Sequence, residues 1–212
     1  MNLSLYLITD SRGMSEEEFF KTIEKAVSSG VTMVQLREKE LSSREFFERA
    51  LRLKKICSVA NVPLIINDRI DIAIAADADG VHLGTSDLPI SVAREILGEN
   101  KIIGATAKTV EAAIRAANDG ADYFGIGAFF ATDTKSDAYT MTPDEIRAVT
   151  DAAPIPAVGI GGLTYENLDI IKNSGVKGAA VSAAIMRAEN VTETVRLMRE
   201  KVDNLTKQKI GC

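Results

Sequence analysis

Leu3-Ser4-Leu5-Tyr6-Leu7-Ile8-Thr9-Asp10-Ser11-Arg12-Gly13 opens the chain with a short apolar run that stops at a polar turn. The run has the length and the content of a strand covered on both faces. The turn behind it separates two architectures. An open, doubly wound sheet that binds a dinucleotide needs a Gly-x-Gly-x-x-Gly turn after its first strand, so that the backbone can approach a pyrophosphate. Thr9 to Gly13 lacks that pattern. The opening therefore points to the other common α/β arrangement, a single closed (β/α)₈ barrel (TIM barrel), provided the same rhythm recurs along the chain.

It recurs eight times. Apolar strand candidates lie at 3–8, 31–36, 63–66, 79–83, 101–105, 122–126, 155–160 and 177–181. Amphipathic segments fill the gaps. Ser15 followed by Glu18 has the spacing of a capping box, and Gly30 stops the helix that follows. Ser42 and Ser43 begin a second helix that runs to about Val59 and is closed off by Pro63. Further helices are expected at about 69–77, 90–98, 109–119, 142–151, 165–173 and 192–204. Ser29-Gly30-Val31, Asp119-Gly120-Ala121 and Ser174-Gly175-Val176 each end a helix on glycine and start a strand at once. No low-complexity segment or linker divides residues 1–212, so one barrel domain is expected, with a frayed polar tail at about 206–212. A chain of 212 residues is long enough for it, since such barrels need about 200.

Composition narrows the partners. The 46% hydrophobic and 26% charged residues are the balance of a soluble globular protein with core enough to enclose a pocket. A net charge of −5 offers no basic face, so no nucleic acid is expected, although a few converging cations can still bind an anion locally. No apolar run approaches the roughly 20 residues of a membrane span, and no charged, apolar leader opens the chain. A cytoplasmic protein away from the membrane is the expectation, and a homo-oligomer stays open. Cys57 and Cys212 are far apart and lack neighbours at metal-ligand spacing, so both read as plain thiols.

In a barrel of this kind the site sits at the C-terminal ends of the strands. Strand 2 ends in Gln35-Leu36-Arg37-Glu38-Lys39, strand 3 in Asn67-Asp68-Arg69 and strand 4 in His82-Leu83-Gly84-Thr85-Ser86-Asp87. Strand 5 carries Thr106, strand 6 opens into Thr132-Asp133-Thr134-Lys135, strand 7 ends in Gly159-Ile160-Gly161-Gly162 and strand 8 in Ser182-Ala183-Ala184. Arg37 and Lys39 alternate on an extended segment, so both point one way. Arg offers a fork suited to phosphoryl oxygens and Lys a compact charge. The competing reading is a surface ion pair with Glu38 or Glu40. Asp68 and Asp87, on adjacent strands, could share one Mg²⁺, which takes one or two carboxylates plus substrate phosphate oxygens. Their competing reading is helix capping. Gly161 and Gly162, ahead of a helix expected near Thr164, suit a phosphate cradle. His82, the one histidine, could touch substrate or serve as a buried structural group.

Taken together and in order, these stretches resemble the thiamine-phosphate synthase family, over about residues 3–190. Gly80-Val81-His82-Leu83-Gly84, Asp87-Leu88-Pro89 and Gly120-Ala121-Asp122-Tyr123 add to the match. The resemblance implies an enzyme that joins an aminopyrimidine methyl diphosphate to a thiazole phosphate and releases pyrophosphate, with Mg²⁺ as cofactor. It implies Arg37, Lys39, Asn67 and Lys135 on the diphosphate and Asp68 and Asp87 on the metal. Thr106, where a serine is usual, would contact the leaving pyrophosphate, and Gln35 would face the pyrimidine. Thr132 and Thr134 would line the thiazole side, with the amides of Gly161, Gly162 and those near Ser182 and Ala183 on its phosphate. The implied mechanism is dissociative and needs no general base, only neutralised charge and aligned rings.

Some positions depart from the family pattern. Thr85 stands where Gln is frequent, Ala128 and Ala131 replace prolines, and Val181-Ser182-Ala183 stands where Val-Val-Ser is common. The rival activity is a thiazole tautomerase-like isomerase, whose proton-transfer histidine after strand 5 is Lys108 here. A non-catalytic barrel that binds thiamine phosphates would be expected to lose the metal ligands, and both aspartates are present. A phosphosugar barrel enzyme would explain the strand-7 glycines but not the Arg, Lys and Asp cluster.

Overall fold

The computed structural model describes residues 1–131 and 139–207. Eight parallel strands close on themselves in sequence order: β1 Leu5–Ile8, β2 Met33–Leu36, β3 Leu64–Asn67, β4 Gly80–Leu83, β5 Ile102–Thr106, β6 Tyr123–Ile126, β7 Ala157–Ile160 and β8 Ala179–Val181. Tyr6 aligns with Met33 on one side and with Ala180 on the other, which closes the ring. The expected (β/α)₈ barrel is thus the fold.

The outer layer comprises α1 Glu16–Ser29, α2 Ser43–Val59, α3 Ile70–Ala75, α4 Ile90–Leu97, α5 Val110–Asn118, α6 Pro143–Ala152, α7 Ala183–Met186 and α8 Val191–Thr206. Local chemistry sets their starts. Ser15 with Glu18, Ser42 with Glu45 and Thr142 with Glu145 each form reciprocal capping boxes, and Pro143 supplies a preset φ at the start of α6. Burying both faces of each strand gives two apolar layers. One lies inside the barrel around Tyr6, Met33, Ile65, Tyr123 and Val158. The larger one lies between barrel and helices, around Leu5, Phe19, Leu53, Phe124 and Val195.

Two expectations need correction. No α-helix occupies 165–173: turns lead into a single 3₁₀ helix at Leu168–Ile171. Asn167 causes this, because its side chain accepts from the Thr164 amide at 2.8 Å and donates to the Gly162 carbonyl at 2.8 Å. The short α7 after β8 was not anticipated. Among the described residues no helix is long and apolar enough to cross a membrane. Residues 208–212, most of the tail expected to fray, lie outside the described residues, whereas Thr206 ends α8.

Barrel closure makes a test at Gly80. A Cβ there would lie 2.0 Å from the Ile102 carbonyl oxygen and 2.7 Å from its carbon, on the paired strand. Backbone cannot rotate away as a side chain can. Gly80→Ala is expected to destabilise the barrel by about 3 kcal/mol or more, read as a lowered urea midpoint. An unchanged midpoint would contradict the strand register.

Candidate active site

At the C-terminal rim the strands surround a cavity of about 360 Å³, lined among others by Gln35, Arg37, Asn67, Asp68, Thr106 and Ser182. Every predicted residue in the described part lines it except Lys39 and Asp87. Both of these act on the Asp68 carboxyl, which does line it.

The exit of β2 sorts its charges by alternation. The Arg37 amide donates to Thr9 Oγ1 at 3.1 Å, fixing β2 to the end of β1. Glu38 instead accepts from Arg49 Nη1 at 2.6 Å and from Ser11 Oγ at 3.0 Å. With Glu38 taken by Arg49, the surface-pair reading fails: among the described residues neither Arg37 nor Lys39 joins an ion pair. Their charges reach Asp68 instead.

Asp68 leaves β3 through a tight turn. Its φ is +63°, a left-handed conformation that Asp tolerates better than most residues, and the Arg69 amide donates across it to the Asn67 carbonyl at 2.7 Å. Strained backbone of this kind is common where side chains must be aimed at a ligand. The helix-capping reading also fails for both aspartates, because α3 and α4 start without a side-chain cap. Asp87 Oδ2 accepts from the Gly84 amide at 2.6 Å, which braces its loop. Burial, and then the neighbouring Asp87 carboxyl, push the Asp68 carboxyl up to about 6, with Lys39 and Arg37 offsetting only part.

Two carboxylates held against their own repulsion form a donor set that a hard divalent cation would stabilise. Among the described residues no three His, Cys, Asp or Glu side chains cluster as a complete metal cage. Asp68 and Asp87 are the residues that could hold a hard cation such as Mg²⁺, which takes one or two protein carboxylates and completes its shell with substrate oxygens and water.

The floor of the cavity is a chain of side chains that strand patterning does not reveal. Gln35 Nε2 donates to the Tyr6 hydroxyl at 2.8 Å, and that hydroxyl meets the Tyr123 hydroxyl at 2.8 Å. Tyr123 meets His82 Nδ1 at 3.2 Å, and His82 Nε2 meets Thr106 Oγ1 at 3.1 Å. His82 thus bridges the two roles expected of it, bonded inside the barrel and lining the cavity.

Near β7 and β8, Gly161 and Gly162 have φ of +104° and +61°. A Cβ at either would come within 2.4 and 2.7 Å of Ala128 and Phe130 respectively, so only glycine lets the two loops nest. Ser182 precedes α7 without capping it through its side chain and lies on the cavity wall with Ala183. The Thr164 amide, bonded to Asn167, is not part of the cradle.

Sequence reading missed a second group of charges on the same wall. Asp10 holds Arg12 through two bonds of 2.8 Å and Arg187 at 3.0 Å, and Arg12 keeps its carboxyl below the usual range. Arg12, Arg187 and Lys108 all line the cavity. The strand-end rule applied to Thr9-Asp10-Ser11-Arg12 finds Asp10 and Arg12. Arg187 has no such signal, since it follows the unanticipated α7. Thr132, Thr134 and Lys135 lie outside the described residues.

The chain is similar to known proteins over nearly its whole length. The family model described as thiamine monophosphate synthase matches residues 5–185. A thiamine-phosphate synthase of Clostridium acetobutylicum is 46% identical over 198 residues, 93% of this chain and 94% of that protein. Another, of Enterococcus faecalis, is 48% identical over 93% of each chain. Among solved structures, a thiamine phosphate pyrophosphorylase of Pyrococcus furiosus superposes with a TM-score of 0.88 at 36% identity, covering 97% of this chain and 98% of that one. A match that spans the barrel from its first strand to the helix after its last leaves one assignment: the chain belongs to the thiamine monophosphate synthase family.

Proposed function

We propose that this chain is a thiamine-phosphate synthase. It joins 4-amino-2-methylpyrimidin-5-ylmethyl diphosphate to a thiazole phosphate, carboxylated or not, and releases pyrophosphate. The observation that carries the reading is the convergence of Arg37, Lys39 and Asn67 with the Asp68–Asp87 pair at one edge of the cavity.

In this reading the guanidinium of Arg37, the ammonium of Lys39 and the amide of Asn67 bind the diphosphate, joined by Lys135 as the family resemblance implies. Thr106 donates to the departing group, and Gln35 orients the pyrimidine from the floor. Held by Asp68 and Asp87, Mg²⁺ would supply neutralisation of charge on the diphosphate. The C–O bond breaks with its electron pair leaving on pyrophosphate, and the thiazole nitrogen lone pair then forms the new C–N bond. Thr132 and Thr134 flank the thiazole, while the Gly161 and Gly162 backbone and the Ser182-Ala183 turn hold its phosphate at the corner this fold reserves for such groups. The chain supplies position and charge rather than a nucleophile with its base. The same reading makes it a cytoplasmic enzyme working on small diffusible substrates.

Supplied with both substrates and Mg²⁺, the protein is expected to form thiamine phosphate, identified by its mass. A thiazole that is isomerised but never joined would favour the tautomerase instead. Lys108 after β5, where that chemistry uses a histidine, argues against it.

A further inference from the structure

We propose that Gln35, Tyr6, Tyr123, His82 and Thr106 form a directional hydrogen-bond relay across the barrel floor, which carries the orientation of the Gln35 amide to the Thr106 hydroxyl. It rests on the reading above, in which Gln35 faces the pyrimidine and Thr106 the leaving diphosphate. Tyr6, Tyr123 and His82 are then positioning residues.

Counting protons makes the chain all-or-none. Its four contacts are 2.8, 2.8, 3.2 and 3.1 Å long, and each must hold one hydrogen. Each tyrosine has one to give, and a neutral imidazole has one. If the Gln35 amide nitrogen donates to Tyr6, then Tyr6 donates to Tyr123 and Tyr123 to His82 Nδ1. His82 carries its proton on Nε2 and donates it to Thr106, whose own hydrogen is released toward the cavity. If the amide turns over, Tyr6 donates to Gln35 Oε1 and every link reverses. His82 then carries its proton on Nδ1, and Thr106 spends its hydrogen on Nε2. Any mixture leaves either a buried hydrogen without an acceptor or two lone pairs facing each other across a contact, which is costly where Tyr6 and Tyr123 are 1% and 0% exposed.

The strands leave a lane for this chain. A Cβ on Gly104 would lie 2.2 Å from the Tyr123 ring, and one on Gly125 would lie 3.4 Å from His82. Gln35 and Thr106 both reach the cavity at its ends. A ring whose amino group donates to Gln35 Oε1 holds the amide nitrogen on Tyr6 and so turns the Thr106 hydrogen toward the departing oxygen. Recognition of the amino group thereby prepares the leaving-group donor.

One histidine in the whole chain makes the test unambiguous. The full-length protein, with ¹⁵N-labelled histidine, is examined by NMR at neutral pH with and without the aminopyrimidine alcohol as probe. The bound state is expected to show the Nε2–H tautomer. Tyr123→Phe removes the link, so the probe no longer fixes the tautomer, and kcat falls about tenfold, the worth of one hydrogen bond in the transition state, with the pyrimidine KM within about twofold. Tyr6→Phe, which cuts one link nearer Gln35, gives the same pattern. In a Thr106→Val background Tyr123→Phe costs nothing further. An Nδ1–H tautomer in the bound state, or losses that simply add, would overturn the relay. A correct tautomer in a protein that makes no thiamine phosphate would overturn the transferase reading and leave the relay standing.

Discussion

Replacing Asp87 with alanine is expected to cut Mg²⁺-dependent turnover by about a thousandfold while the barrel stays folded. Metal stabilisation of a departing diphosphate is worth several kcal/mol, and each 1.4 kcal/mol is about a factor of ten. The structural cost is small. Asp87 is half-buried, and the variant loses the hydrogen bond from the Gly84 amide, in a loop that water can reach, and the contact with the Asp68 carboxyl. Against that loss, the variant relieves Asp68 of its like-charged neighbour.

The sign of that relief follows from the shift. Asp68 has its folded pKa raised to about 6 by burial and by Asp87, so ionising it opposes folding. Its contribution is fully present below the ordinary carboxylate range and is lost as pH rises through about 6. In the absence of Mg²⁺ at neutral pH, Asp87→Ala should therefore melt at or slightly above the wild-type temperature. Mg²⁺ should raise the wild-type melting temperature at pH 7 more than at pH 5, and should not move the variant. Full turnover in Asp87→Ala would sink the metal assignment.

Arg37→Ala is expected to lower kcat/KM by about a hundredfold to a thousandfold, from the loss of one or two charge-assisted hydrogen bonds to the diphosphate. Its backbone amide, which holds β2 to Thr9, survives the substitution. Because the side chain joins no ion pair among the described residues, stability should change by less than about 0.5 kcal/mol. Arg37→Lys should recover only part of the loss, since a point charge does not reproduce the fork. Steady-state kinetics beside urea melts separate these effects, and a variant that loses stability and activity together would argue for a packing role.

The barrel was legible because parallel strands buried on both faces are written as short, almost unbroken apolar runs, and each run at 3–8 through 177–181 holds a strand. Helices long enough to show a period were equally plain. The segment 165–173 misled because Thr164-Tyr165-Glu166-Asn167 looks like a helix start, while the side chain of Asn167 folds back and tightens the backbone to a 3₁₀ turn. Four residues, the length of α7, are too few to display any period. In the site, strand ends reveal Arg37, Asp68 and Asp87 through residue type alone. The floor could not be read that way. Tyr6 and Tyr123 pass for ordinary strand residues, and only closure of the barrel brings their hydroxyls together across 117 positions. Asp10 and Arg187 meet for the same reason across 177.

The most direct test of the central claim is pyrophosphate release by purified protein supplied with the aminopyrimidine diphosphate, the thiazole phosphate and Mg²⁺, each omitted in turn. Release that needs all three, matched by an equal amount of thiamine phosphate, is the predicted result. No release with all three present would contradict the account and return the family's tautomerase-like and binding-only barrels to consideration.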